Sequence, residues 1–208
     1  MPRAPDDADE VPAPAVPVDR LDGAWERVED TTETLFGVEG ADVRGRTVVY
    51  EDTALRAAVR AATGGAVDQS WRFFFATRLA FRPPLAPGIG PAMVLPSVKT
   101  EAVRRFADDL ADRGVVGVER GRRERIRTGD RSRVALRQVT GEVPLPDGDP
   151  VPVEGWVGAW ADGDIRLAGG AYPRSSLAGR FPDAADPALD GSVDDYRGAL
   201  FDLVRAVG

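Results

Sequence analysis

The residues with the most chemistry to offer lie between Glu119 and Arg137. Eight arginines, Arg120, Arg122, Arg123, Arg125, Arg127, Arg131, Arg133 and Arg137, face only three acids there, Glu119, Glu124 and Asp130. The segment carries +5, while the whole chain is −7 and the remainder therefore sums to −12. A guanidinium presents a planar fork that pairs bidentately with carboxylate or phosphate. These arginines thus have two destinations, acids of the same protein or an external polyanion. Simple strand alternation puts Arg120 and Arg122 on one face and Arg123, Arg125 and Arg127 on the other. No aromatic residue interleaves them for base stacking, and a net acidic chain is repelled by nucleic acid. Most are therefore expected to meet internal carboxylates. Polyanion or nucleic-acid binding through Arg120, Arg122, Arg123, Arg125, Arg127, Arg131 and Arg133 is the alternative.

Elsewhere the sequence restricts chemistry more than it supplies it. There is no cysteine and no histidine. Disulfides, thiolate nucleophiles, imidazole acid–base pairs and nearly every zinc site are therefore excluded. Lys99 is the only lysine. Glu154, Asp162 and Asp164 could in principle cluster, and Ser175 and Ser176 follow Arg174, but no residue pattern orients them. Asp162 and Asp164 flank Gly163 and read as turn residues, and EF-hand spacing is absent. The expectation is no catalytic residue, no metal and no cofactor. A hydrolytic or metal-dependent enzyme built on carboxylates ranks third.

The elements that must position these groups follow from pattern. Residues 1–20 hold five carboxylates and prolines at 2, 5, 12, 14 and 17, a composition expected to stay disordered as an acidic tail. Residues 21–208 read as a single domain. Strands are expected over 23–36, 43–50 and 70–82, the last apolar on both faces and so central. A helix over 54–62 is capped by Asp52 or Thr53, a longer one spans 97–113, and the last opens at Ser192 with Asp195 three residues on. Glu119–Thr140 and Val151–Tyr172 read as successive β-hairpins, the second turning at Asp162-Gly163. Glycines 155, 158, 169 and 170 predict a helix or another backbone lying close against that hairpin. The order β-β-α-β-α-β-β-β-β-α implies an α+β fold, an antiparallel sheet of about seven strands covered by helices.

Between strand and helix, residues 83–96 form a proline-rich apolar loop. Leu85, Ile89 and Met93, with Trp156, Trp160 and Tyr172, are the candidate lining of a ligand pocket beneath it, each more readily accounted for as core. The leading functional reading is a non-enzymatic module binding a protein or small molecule. No apolar run reaches ~18 residues, and the N-terminus lacks a signal-peptide pattern, so a soluble cytoplasmic protein is expected and no membrane partner.

Two resemblances add to this. Twenty-six arginines against one lysine, with acids in excess, resemble the proteins of salt-loving archaea, and the whole chain looks like an uncharacterised haloarchaeal family. The Trp156–Trp160 strand, the Asp162-Gly163 turn, Gly169-Gly-Ala-Tyr-Pro173 and the closing helix are similar in order and spacing to the Mog1/PsbP-like α/β/α sandwich. That resemblance implies helices on both sheet faces and a partner-binding or assembly role.

Overall fold

The computed structural model describes residues 11–208 apart from positions 22, 39, 130 and 147. The elements run β1 (Trp25–Val38), β2 (Ala41–Asp52), α1 (Thr53–Ala62), β3 (Phe73–Arg82), α2 (Pro91–Asp112), β4 (Val116–Arg127), β5 (Arg133–Val143), β6 (Val151–Asp162), β7 (Asp164–Pro173) and α3 (Val193–Ala206). This is the order read from the sequence. All seven strands join one antiparallel sheet, β1-β2-β3-β7-β6-β5-β4. The fold is α+β. The Arg-rich β4 forms one edge, and β3 lies inside the sheet with apolar residues on both faces.

Strand register decides which side chains share a face. Gly155, Val157 and Ala159 of β6 face α2, where Phe106 packs. Glu154, Trp156, Gly158 and Trp160 face the opposite side, where the Trp156 ring meets Phe201 of α3 edge-on at 5.4 Å. Helices therefore cover both faces, and glycine lets them come close. A Cβ on Gly155 would stand 2.7 Å from the Phe106 ring. One on Gly170 would stand 2.9 Å from a Leu200 methyl and collide with the Phe73 carbonyl. Both positions leave less room than normal van der Waals contact needs, so the close approach expected of these glycines is observed.

Local signals set the helix starts. The Asp52 carboxylate accepts from the Leu55 amide at 3.0 Å, and the Ser192 hydroxyl from the Asp195 amide at 3.1 Å. Both satisfy amides that a first helical turn leaves unpaired. The long helix departs from expectation. It begins at Pro91 and not at 97, so the apolar loop shrinks to residues 83–90. Pro91 at the first helical position is pre-organised for a helix start. Pro96 inside the helix removes one backbone hydrogen bond, and the buried Val94 and Val98 on either side of it hold the helix to the core.

Residues 11–20 also differ from the expected tail. Val11, Pro14 and Pro17 are buried, and a short 3-10 turn spans Val18–Arg20. The Gly208 amide donates to the Ala15 carbonyl at 3.4 Å, and Arg20 to the Asp202 carbonyl at 3.3 Å, so this segment runs beside the end of α3. Residues 1–10 of the expected tail lie outside the described residues. Deleting residues 1–20 should therefore lower stability, by up to about 1.5–3 kcal/mol for the fully buried Val11 alone. Urea unfolding of the full and shortened chains measures this, and coincident midpoints would show that the segment contributes nothing.

Candidate functional site

Helix α2 lies across the middle of one sheet face and leaves a cleft on either flank. The first cleft, toward β4 and β5, has a volume of about 450 Å³. Lys99 and Thr100 of α2 form one wall, and Arg120, Arg123 and Arg137 of the hairpin form the other.

A bulge in β4 builds this basic wall. Glu119 and Arg120 pair with Thr140 and Val139, but the register then shifts, and Arg123 pairs with Arg137. Gly121 and Arg122 together oppose Gln138, whose side-chain carbonyl accepts from the Arg122 amide at 3.3 Å. The extra residue carries Arg120 onto the same face as Arg123, Arg125 and Arg127, correcting the simple alternation. Arg133 and Arg137 of β5 lie opposite Arg127 and Arg123 and complete a six-arginine face. The other face of the hairpin holds Glu119, Glu124, Ile126, Val134 and Leu136. Glu124 pairs there with Arg197 of α3. Arg122 also lies on that side, 5.6 Å above the Trp156 ring, and Arg131 stands in the turn with φ 68°.

The expected internal pairing is not found. Among the described residues, none of Arg120, Arg122, Arg123, Arg125, Arg127, Arg131, Arg133 or Arg137 has a carboxylate within 4.0 Å; the hairpin's ion pair is the one from Glu124 to Arg197. The reason is geometric: the strand's acids project to the opposite face. Arg123 opposite Arg137 and Arg127 opposite Arg133 are like-charge cross-strand neighbours, an arrangement that costs stability. Charges on an edge strand do guard against unwanted strand pairing. That need does not account for Arg133 and Arg137, because β5 is an inner strand.

The second cleft, toward β1, β2 and β3, has a volume of about 330 Å³. Its floor and walls are mostly apolar, from Val49, Phe73, Phe75, Val157, Leu167 and Phe106, with Thr47 and Thr77 among them. Phe75 and Phe106 stand 5.6 Å apart. At the mouth, Glu29 and Glu33 of β1 face Asp109 and Asp112 of α2. Arg105 is already engaged, donating to the Leu35 carbonyl at 2.6 Å and to Glu33 at 3.3 Å. The Arg113 guanidinium sits 4.6 Å above the Phe73 ring. Asp109 opens to solvent on one side, yet burial on its other side pushes its carboxyl above the ordinary value, against the pull of Arg105 and Arg113.

The six candidates for a pocket under the 83–96 loop do not gather around one cavity. Leu85 and Ile89 pack against the core, and Met93 is 66% exposed. None of the three lines either cleft. Trp156, Trp160 and Tyr172 are buried in the core. Trp156 and Tyr172 belong to a closed polar network around Glu154, whose Oε1 accepts from Tyr172 at 2.6 Å and Trp156 at 2.7 Å. Its Oε2 accepts from Gln138 at 2.8 Å and lies 3.4 Å from Arg174. Burial pushes the Glu154 carboxyl up, but the three hydrogen bonds and Arg174 outweigh it and leave the carboxyl below its ordinary value. Burial, then Glu154, push the Tyr172 phenol far above its own. Asp162 and Asp164 sit at the far end of β6 and β7, paired with Arg166 and Arg78. They do not join Glu154. Among the described residues no group of three metal-ligating side chains converges, and no helix is long and apolar enough to cross a membrane.

Fold and clefts define an α+β protein with an open seven-stranded antiparallel sheet and two charged clefts divided by one helix. The chain belongs to the DUF6517 family, a domain of unknown function, whose pattern matches residues 13–208. No curated protein and no solved structure matches it.

The Glu154 network yields a pH test. A carboxyl held below its unfolded value contributes stability that is present above the unfolded pKa, ~4.3, and is lost as pH falls through the folded value. Glu154→Gln should cost about 1.5–3 kcal/mol near neutrality, the range for hydrogen bonds to a charged group. The gap to wild type should narrow in acid. Urea unfolding of both proteins across pH would show this, and a gap independent of pH would mean that the ionised form is not what the network holds.

Proposed function

We propose that this protein is a binding module that holds the phosphate backbone of a nucleic-acid duplex against the α2 face of the β4–β5 hairpin. One observation carries the reading: six arginines, with Lys99 beside them, share one surface on which no carboxylate of the described residues neutralises them. The like-charge pairs Arg123–Arg137 and Arg127–Arg133 are a folding cost that a bound polyanion removes. Guanidinium forks spaced along a two-stranded ribbon suit a linear array of phosphates, each met bidentately. The face has no aromatic platform, which favours a stacked duplex backbone over splayed single-strand bases. Contacts of this kind position a duplex without reading its sequence.

The acidic remainder of the chain is compatible with this. Carboxylates on the opposite flank of α2 repel a polyanion and leave the hairpin as its point of approach, so the charge asymmetry orients the encounter. In the salt-rich cytoplasm that the composition resembles, phosphate contacts weaken steeply, with log K falling by ~0.9 per phosphate for each decade of salt. Each further phosphate contact steepens that loss, so the interaction is strongest at low salt. The layering of helices on both sheet faces agrees with the likeness to the Mog1/PsbP-like sandwich, and a non-catalytic partner-binding role accords with it.

Fluorescence-anisotropy titration of a short mixed-sequence DNA duplex is the test. At ~0.15 M salt the dissociation constant should fall at about 1–100 µM, the range of sequence-independent binding, and should not change with sequence. Arg123→Ser, Arg125→Ser and Arg127→Ser should each weaken binding and reduce the salt slope by about 1. Arg122→Ser, on the other face, should leave both unchanged. A triple variant that binds like wild type, or no binding even at ~0.05 M salt, would overturn the reading.

A further inference from the structure

The second cleft lies on the opposite flank of α2 and is of opposite charge. Three observations bear on what it takes. Its volume of about 330 Å³ lies at the small end of the range for pockets that enclose organic ligands. Its interior is aromatic and aliphatic, with Phe73, Phe75 and Phe106 converging from β3 and α2. The Thr47 and Thr77 hydroxyls on the floor are bonded to each other at 2.8 Å, so the floor asks for no polar partner.

The mouth is acidic and under-neutralised. Of its four carboxylates, Glu33 is met by Arg105, and Glu29 accepts from the Thr31 hydroxyl at 2.9 Å. Among the described residues, Asp109 and Asp112 have no cationic group within 4.0 Å. The cleft itself shows which charge its rings accept, because the Arg113 guanidinium lies over the Phe73 face. An aromatic face attracts a cation through its quadrupole, and more strongly where water is thinned.

From this geometry we infer that the cleft between α2 and β1–β3 binds a small organic cation, an ammonium group carried on an apolar body. The body enters among Phe73, Phe75, Phe106 and Val49. The ammonium stays at the mouth between Asp109 and Glu29, where it supplies the charge that the carboxylates lack. An anionic ligand would meet four carboxylates against two arginines, Arg105 already on Glu33 and Arg113 over Phe73, and a purely apolar one would leave Asp109 without an ion-pair partner. The inference does not rest on nucleic-acid binding, since the two clefts share only Ala102 and Val157.

The test uses three probes with one body: 3-phenylpropylammonium, 3-phenylpropan-1-ol and 3-phenylpropanoate. Calorimetric or NMR titration of the full chain should give the ammonium a dissociation constant of about 1 mM or tighter. The alcohol should bind at least tenfold more weakly and the carboxylate more weakly still. The double variant Asp109→Asn, Asp112→Asn should lower ammonium affinity about tenfold and bring it level with the alcohol. Both positions are solvent-exposed, and a circular-dichroism spectrum matching wild type confirms that the variant is folded. Arg123→Ser, on the other flank, should bind the ammonium as wild type does. Equal affinity for ammonium and alcohol in the wild type, unchanged affinity in the double variant, or no saturable ammonium binding would each overturn the inference.

Discussion

The contact on which the rest depends is the Phe106 ring of α2 resting on the bare backbone of β6 at Gly155. Any Cβ at 155 would stand 2.7 Å from that ring, so the helix can sit this low only over glycine. Its depth has two consequences. It seals Val153, Val157 and Ala159 from water, and it makes α2 a ridge running along the middle of a seven-stranded sheet that one helix cannot cover. A sheet face wider than one helix must expose its margins or fill them. Here both margins stay open as clefts.

The two margins differ in charge because the strands beneath them differ. On the β1 side, Glu29 and Glu33 project toward α2 in register with Val49 and Gly45. On the β4 side, one bulge brings Arg120 onto the face that Arg123, Arg125, Arg127, Arg133 and Arg137 share and leaves Glu119 with Glu124 on the other. Helix α2 matches each flank, showing Asp109 and Asp112 to the first and Lys99 to the second. Like faces like across the basic cleft, while at the acidic one Asp109 and Asp112 face Glu29 and Arg105 bridges to Glu33. Folding alone favours the reverse pairing, because opposite charges across a groove would close it. Each cleft nevertheless keeps an excess of one sign, negative on the β1 side after the Arg105–Glu33 pair forms and positive on the β4 side.

Much of the architecture was legible in local signals. Caps at Asp52 and Ser192, the apolar β3, glycine positions in β6 and β7, and the order of strands and helices all report on neighbours close in the chain or on burial of a whole element. What was not legible depends on pairing between distant segments. The bulge at Gly121 and Arg122 exists only against Gln138, so alternation along β4 alone placed Arg120 on the wrong face. The acidic cleft draws Glu29, Phe75, Phe106 and Val157 from four elements, and no single stretch of sequence holds its signature. Val11 looked like part of a tail because its segment lies against the chain's opposite end. Pro96 masked the true start of α2, since its cost is local while the burial of Val94 that offsets it is not.

The opposite face of the sheet explains why the hairpin can bear so much repulsion. Ile126, Val134 and Leu136 are buried on its α3 side, and the turn is tied down where the Gly129 amide donates to the Arg205 carbonyl at 2.8 Å. Glu124 meets Arg197, and Gln138 links Arg122 of β4 to Glu154 of β6. Glu154 in turn holds Trp156 and Tyr172. The hairpin is thus anchored through one face by apolar contact and by a buried carboxylate with both oxygens engaged, and it shows its unneutralised charge on the other. Burying a carboxylate is costly unless donors surround it. Here the donors come from β5, β6 and β7, so the group that needs satisfying fixes the register of the strands that carry the arginines. Stability gathered on the α3 side is what permits the charge segregation on the α2 side.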